Sequence, residues 1–285
     1  MRKPAVTIAA VCLALLPGLA GAACPDDAAV SAFVSEYLAK RPAQAFPLDS
    51  LADARCAQDK VVAGLTPQLG PATGWKIGLT AAPIQAMFGA TEPVRGRLFI
   101  GAILPDGATV PARFGSVPIW EADLLATIKS AAIMQATTAV EVAAALESIT
   151  PFVELADLAL AEGQTLDART ITAINVGARG GIAGTPIPVT DPAGMAERLA
   201  AMQVVAIDDH GTEISRAPGA AILGQPLNAL LWLVADLNKA GLSLRPGDVV
   251  SLGAFSRPLG PAAGRAVTIR YEGLGDSPSL RFRFE

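Results

Sequence analysis

The sequence predicts an α+β fold, and three observations lead to this class. Hydrophobic residues make up 52% of the 285 residues and charged residues 17%, which is enough apolar material for a sizeable core. Strand-like segments outnumber helix-like segments in the second half of the chain. The two kinds do not alternate regularly, and this argues against a doubly wound parallel sheet.

Two helices are predicted in an N-terminal helical segment, residues 24–72. Asp26 and Asp27 can cap a helix whose apolar residues recur at helical spacing as far as Leu38. A second helix is expected to begin near Ser50, whose hydroxyl is a common cap.

The rest of the chain, residues 73–285, alternates between strand and helix signals without a repeat. Strands are predicted at 74–79, 119–128, 152–160, 244–253, 266–271 and 280–284, with a hairpin at 203–215. Helices are predicted at 82–88, 138–148 and 226–237. Pro151 is expected to stop the second of these helices.

The first 23 residues have the order of a secretory signal peptide. Arg2 and Lys3 precede an apolar run, and small residues follow at 20–23. The mature protein is therefore expected to be periplasmic or secreted. No membrane anchor is expected, because no apolar stretch reaches about 18 residues. Lipidation of Cys24 is the alternative.

The expected mature chain keeps two cysteines, Cys24 and Cys56. An oxidising compartment favours a disulfide between them, and two buried free thiols are the alternative. The net charge is −4 and basic residues are scattered, so nucleic acid is excluded as a partner.

Three acidic residues suggest a metal site. Glu121 and Asp123 are two apart in a predicted strand, so both side chains lie on the same face. Glu154 interrupts an apolar strand, where an unpaired charge is costly. Three oxygen ligands suit Mg²⁺ or Mn²⁺ rather than zinc. An exposed acidic pair without a metal is the alternative for Glu121 and Asp123.

Five motifs follow one another in the same order as in the 2-keto-4-pentenoate hydratases, and the chain resembles that family over nearly all of residues 24–285. They are GWKIGLT (74–80), EAD (121–123), PFVE (151–154), GQPLNA (224–229) and PGDVVSLG (246–253). The family is grouped with the fumarylacetoacetate hydrolases and the 4-oxalocrotonate decarboxylases. The resemblance implies a mixed β-roll with flanking helices, with residues 73–285 as the catalytic domain.

The same resemblance implies that Glu121, Asp123 and Glu154 bind the metal ion. The ligand would be a small 2-oxo or 2-hydroxydienoic acid, whose 2-oxo group and carboxylate chelate the metal. The metal then polarises the carbonyl and stabilises the enolate. Homo-oligomer formation is left open.

Lys76 is implied as the catalytic residue, which orients the substrate carboxylate or transfers a proton. Asn175 and Ser256 are candidate substrate-binding residues. Related hydratases carry two aspartates a few residues after the glycine equivalent to Gly96, whereas residues 98–102 here offer no titratable group. Water and Lys76 would then take over proton transfer, unless the reaction differs.

The predicted function is that of a hydratase that adds water to an enolised 2-oxo acid such as 2-hydroxypenta-2,4-dienoate. A 2-oxo acid decarboxylase and a non-catalytic periplasmic keto-acid binding protein are the alternatives. Carbon–carbon hydrolysis is disfavoured, because the single histidine, His210, lies in a predicted hairpin turn.

Overall fold

The structure is a computed structural model that describes residues 24–285, so the predicted signal peptide lies outside the described residues. Within this part of the chain, no helix is both long and apolar enough to cross a membrane.

The described residues form seven α-helices and thirteen strands. The helices are α1 (Asp27–Leu38), α2 (Leu51–Leu69), α3 (Ala82–Met87), α4 (Ala139–Ala144), α5 (Ala168–Ala173), α6 (Pro192–Ala201) and α7 (Leu227–Lys239). The strands are β1 (Gly74–Gly78), β2 (Val94–Leu98), β3 (Ile103–Pro105), β4 (Thr109–Val110), β5 (Pro118–Ile128), β6 (Leu146–Asp157), β7 (Ala178–Ala183), β8 (Ile187–Pro188), β9 (Gln203–Asp208), β10 (Glu213–Pro218), β11 (Val249–Ser251), β12 (Ala266–Glu272) and β13 (Ser279–Phe284).

Local chemistry explains where the first two helices begin. The Asp26 carboxylate accepts a hydrogen bond from the Ala29 amide at the start of α1. Ser50 and Asp53 form a reciprocal capping box at the start of α2. Both predicted helices are confirmed.

The predicted helix at 138–148 is wrong in its second half. It ends at Ala144, and β6 begins at Leu146. Pro151 lies inside β6 opposite Leu124 and does not stop a helix. Because β6 pairs with β5 along nearly its whole length, long-range pairing overrides the local helix signal.

The strands form two sheets. The larger one has the order β2-β1-β11-β5-β6-β7-β3, with β8 also paired to β6, and it mixes parallel and antiparallel neighbours. The smaller one has the order β10-β9-β12-β13-β4. This confirms the predicted α+β class with a mixed sheet.

The main core combines one face of the larger sheet with the smaller sheet and with α4, α6 and α7. Trp120, Ala122 and Leu124 point into it from β5. The residues between them on β5 therefore face the opposite side, where the candidate site lies.

Helices α1 and α2 pack on that opposite side. Their buried residues share one hydrophobic cluster with residues of the chain after residue 73, among them Leu79, Val94 and Ile171. The N-terminal helical segment and the remainder thus have a continuous core across residues 72 and 73. A disulfide joins Cys24 to Cys56 on α2, with the two Cα atoms 5.5 Å apart.

Candidate active site

A cavity of about 300 Å³ lies on this second face of the larger sheet. Its walls are largely apolar and include Ile84, Phe88, Leu158 and Phe255. Among the described residues, its charged lining residues are Lys76, Glu121, Glu154 and Arg257. An apolar cavity with a few convergent polar groups is the usual form of a small-molecule site.

The β5–β6 pairing brings two carboxylates together. Glu121 lies directly opposite Glu154 in the antiparallel register. Glu154 is 1% exposed. Two carboxylates that face the same cavity repel each other unless a positive charge or a proton intervenes.

Burial dominates the electrostatics of the pair. It raises the pKa of Glu121 to about 8, with a further contribution from the negative charge of Glu154. Burial also raises the pKa of Glu154, against the opposing effect of Lys76. Both groups would be stabilised as anions by an added cation.

Asp123 is on the same strand face as Glu121 but does not line the cavity. Its Oδ1 accepts hydrogen bonds from the amides of Leu124, Leu252 and Gly253 at 2.5, 3.2 and 3.0 Å, and its Oδ2 accepts one from the Ser251 hydroxyl. Burial and the charge of Glu154 raise its pKa well above the usual value.

Lys76 is 4% exposed and lies on β1. Its ammonium group donates to Glu154 and, at 2.6 Å, to the Val176 carbonyl. An ammonium has three donors, so one remains for a ligand in the cavity.

The Val176 carbonyl that accepts from Lys76 lies in a left-handed turn. Asn175, Val176 and Gly177 have φ angles of 57°, 55° and 66°. The left-handed conformation costs roughly 1–2 kcal/mol for each residue with a side chain, and a β-branched valine seldom adopts it. Strain of this kind next to a functional site indicates that the position of the Val176 carbonyl matters.

Asn175 is not brought to the cavity. Its side chain is 1% exposed, accepts from the Arg97 amide at 2.7 Å and donates to the Arg97 carbonyl at 2.9 Å. Both of its polar atoms therefore hold the turn against β2, and this differs from the substrate contact predicted for it.

Ser256 does line the cavity, and its hydroxyl is buried without a hydrogen-bond partner among the described residues. A buried hydroxyl without a partner is available to a ligand. Arg257 and Thr80 also line the cavity and were not predicted as site residues. Thr80 ends the first of the five motifs, GWKIGLT, whereas Arg257 belongs to none of them.

Of the three predicted metal ligands, Glu121 and Glu154 line the cavity and Asp123 does not. Within residues 24–285, no group of three or more His, Cys, Asp or Glu side chains is arranged to hold a metal ion. Glu121 and Glu154 nevertheless face one cavity, and Oδ2 of Asp123 keeps a free lone pair beside the Ser251 hydroxyl. The donor set consists of carboxylates whose charges need neutralising, so it fits a hard divalent cation.

The chain is similar in sequence to known hydratases and to a decarboxylase. The chain is 30% identical over 213 residues to a 2-keto-4-pentenoate hydratase of Paraburkholderia xenovorans strain LB400, covering 74% of this chain and 76% of that protein. It is 28% identical over 209 residues to a 4-oxalocrotonate decarboxylase of Pseudomonas putida, covering 73% and 76%. No family model matches the chain.

Among solved structures, the 4-oxalocrotonate decarboxylase of Pseudomonas putida G7, complexed with magnesium and adipate, superposes with a TM-score of 0.78. The match covers 91% of this chain and 97% of that one at 23% identity, and it supports the fold. Together with the 30% identity to the hydratase, it confirms the resemblance seen in the sequence. The chain belongs to the 2-keto-4-pentenoate hydratase family and is an enzyme of its hydratase or decarboxylase type.

Proposed function

We propose that this enzyme is a metal-dependent lyase that adds water to an enolised 2-oxo acid such as 2-hydroxypenta-2,4-dienoate. The observation that carries the proposal is the meeting of Glu121, Glu154 and Lys76 on one apolar cavity. A relative with 30% identity is a hydratase.

Glu121, Asp123 and Glu154 are the proposed ligands of Mg²⁺ or Mn²⁺. The magnesium bound to the decarboxylase of similar fold supports a divalent cation. When bound, the cation would polarise the 2-oxo group and stabilise negative charge on the substrate. Asp123 would contribute through Oδ2, while the amides on its Oδ1 keep the carboxylate in place.

Lys76 is the proposed proton-transfer residue. If Glu121 and Glu154 hold the cation, Lys76 and Arg257 are the remaining titratable side chains that line the cavity in the described chain. Arginine keeps its proton in proteins, whereas a lysine ammonium can give one up. The third donor of Lys76 would first orient the substrate carboxylate and then deliver a proton to carbon.

The apolar walls would hold the hydrocarbon part of the substrate and limit bulk water. Ile84, Phe88 and Leu158 carry no group that could react with it. A water molecule that adds to the substrate would then bind near Ser256, whose buried hydroxyl has no protein partner in residues 24–285.

Decarboxylation is the second candidate, and one observation favours it. Residues 98–102 form the end of β2 and a short 3₁₀ turn without a titratable group. Loss of carbon dioxide requires a single proton delivered to carbon, which Lys76 alone could supply, whereas hydration also requires activated water.

The test is an assay of purified protein with Mg²⁺ or Mn²⁺ and 2-hydroxypenta-2,4-dienoate, followed by loss of the dienol absorbance. Turnover that a chelator abolishes is expected. A parallel assay with a 2-oxo-enedioic acid should be analysed for carbon dioxide. Release of carbon dioxide there, with no hydration of the dienoate, would replace the hydratase by the decarboxylase.

Two substitutions test the site. Lys76→Ala should lower kcat by about 10²-fold or more, since general acid–base groups contribute about 10²–10⁴-fold. Glu154→Gln should lower kcat as well, because it removes a proposed ligand of the cation that polarises the substrate. Glu147→Gln and Lys129→Ala are the matched controls, because both residues are exposed and lie outside the cavity lining. Equal activity of Glu154→Gln and Glu147→Gln would refute the site.

Export to the periplasm remains part of the proposal, with residues 1–23 removed as a signal peptide. The disulfide between Cys24 and Cys56 supports an oxidising compartment. Intact-mass measurement of the exported protein should show a chain that begins at Ala23 or Cys24. A retained Met1 or a diacylglyceryl mass on Cys24 would contradict it.

A further inference from the structure

Arg257 lines the same cavity as Lys76, Glu121 and Glu154, and no part of the proposed chemistry uses it. Lys76 and Glu154 form an ion pair and are buried, whereas Arg257 is exposed. Within residues 24–285, the Arg257 guanidinium forms no ion pair and donates no hydrogen bond. Arg179 and Arg265, by contrast, each contact a carboxylate.

Backbone hydrogen bonds hold the loop that carries Arg257, residues 255–259, against β5. The Phe255 amide donates to the Ala122 carbonyl at 2.9 Å. On the other side of Arg257, Leu259 and Trp120 exchange two backbone hydrogen bonds of 3.1 and 2.8 Å. Trp120 and Ala122, the two neighbours of Glu121 in sequence, therefore anchor this loop on β5.

Apolar residues make up most of the remaining cavity wall. Phe255, Phe88, Leu158 and Ile84 offer no partner for a polar ligand atom. A ligand bound by Lys76 and the carboxylate pair would thus present a hydrocarbon segment to these walls. A further anionic group on that ligand would find its counter-ion in Arg257.

We propose that Arg257 determines specificity by binding a second carboxylate, so that the preferred substrates are 2-oxo or 2-hydroxydienoic diacids rather than monoacids. This inference rests on the proposed function, because it assumes that the 2-oxo acid end binds near Lys76. It narrows the substrate range of that function: 2-hydroxypenta-2,4-dienoate is a monoacid, so it should bind more weakly than a dienoic diacid. A guanidinium binds a carboxylate through two parallel hydrogen bonds, which a methyl group at the same position cannot accept.

Two six-carbon 2-oxo acids can test this proposal, because they differ only in the presence of a second carboxylate. 2-Oxoadipate carries a distal carboxylate, and 2-oxohexanoate carries a methyl group in its place. Calorimetry of the whole protein with excess Mg²⁺ should give the wild type about 10- to 100-fold tighter binding of 2-oxoadipate, the range expected for a charge-assisted pair.

The ratio of the two affinities is the readout. Arg257→Gln should bring it close to one, and Arg257→Lys should keep part of the preference, because the charge remains while the planar fork is lost. Arg270→Ala is the matched control, since Arg270 is exposed on β12 and lies outside the cavity lining. Its ratio should equal that of the wild type.

The outcomes separate the two proposals. If the wild type binds both probes equally, or if Arg257→Gln keeps the preference, the role of Arg257 is refuted while the proposed function stands. If Mg²⁺ promotes binding of neither probe to the wild type, the proposed function fails and the role of Arg257 fails with it.

Discussion

Burial gives Glu121 an acid–base behaviour that an exposed glutamate lacks. Its pKa rises from 4.5 to about 8, chiefly through burial and then through the charge of Glu154. At neutral pH without a cation, the folded protein therefore favours the protonated form. The unfolded chain ionises the same group near its usual value.

This difference predicts a pH-dependent stability. The folded-state pKa is raised, so the stabilisation is complete below about 4.5 and is lost as the pH rises through about 8. In chelator, the melting temperature should fall between pH 5 and pH 8.5, and Mg²⁺ should reduce the fall. Glu121→Gln should reduce the dependence and leave the part that comes from the raised pKa values of Glu154 and Asp123, while Glu147→Gln preserves it in full. An unchanged slope in Glu121→Gln would contradict the assignment.

Gly78 shows how a missing side chain supports the site. A Cβ at this position would lie 2.5 Å from Cγ1 of Val176, whose carbonyl holds Lys76. The adjacent turn already has a strained backbone, so it has little freedom to retreat.

Gly78→Ala should therefore lower both stability and turnover. Overpacking of this kind costs about 1–3 kcal/mol, measurable by urea unfolding. The kcat should fall as well, since Val176 must move together with its carbonyl. Gly260→Ala is the control, because an added Cβ there meets no atom within 4 Å. Normal kcat in Gly78→Ala would show that the turn tolerates displacement.

At the scale of elements, an ion pair between a half-buried arginine and a buried aspartate joins α1 to the larger sheet. Arg179 on β7 donates to Asp157 on β6 at 3.0 Å and to the Tyr37 carbonyl on α1 at 2.9 Å. The guanidinium also lies 4.5 Å from the centre of the Tyr37 ring. Asp157 is fully buried and accepts further bonds from the amides of residues 116, 117 and 159.

Arg179→Met should destabilise the protein by about 3 kcal/mol, since removal of one partner leaves a buried carboxylate without its counter-charge. Arg216→Met provides the comparison. Arg216 pairs with Glu213 and Glu272 at the surface, where such pairs contribute about 1 kcal/mol or less. Chemical denaturation measures both variants. Similar losses for the two would mean that the α1 contact contributes no more than a surface pair.

At the scale of the whole molecule, the larger sheet separates two environments. One face forms the main core with the smaller sheet, and the other carries the cavity and packs against α1, α2 and α5. The disulfide from Cys24 to Cys56 closes a loop of 32 positions on the side of the cavity. It therefore tethers the start of the described chain to α2.

The double variant Cys24→Ser, Cys56→Ser should lose about 3–4 kcal/mol of unfolding free energy, the value for a loop of this length in the chain-entropy model. Its kcat should stay near that of the parent, because neither cysteine lines the cavity. Thiol counting on the unfolded, unreduced parent should find none free. Two reactive thiols there, or an unchanged unfolding midpoint, would contradict the prediction.

The sequence by itself determined the features that depend on local patterns. The caps of α1 and α2 follow from neighbouring residues. The two-residue period of β5 put Glu121 and Asp123 on one face, and an acidic residue in an apolar strand identified Glu154. The ordered motifs led to the family that comparison with known proteins then showed.

Only the tertiary structure decided which of these groups share the cavity. The contact of Lys76 with the Val176 carbonyl spans 100 residues, and that of Ser251 with Asp123 spans 128. Arg257 reaches the cavity because its loop bonds to both neighbours of Glu121. Hydrogen bonds between distant segments leave no periodic trace in the chain, since each depends on how the strands pair rather than on adjacent residues.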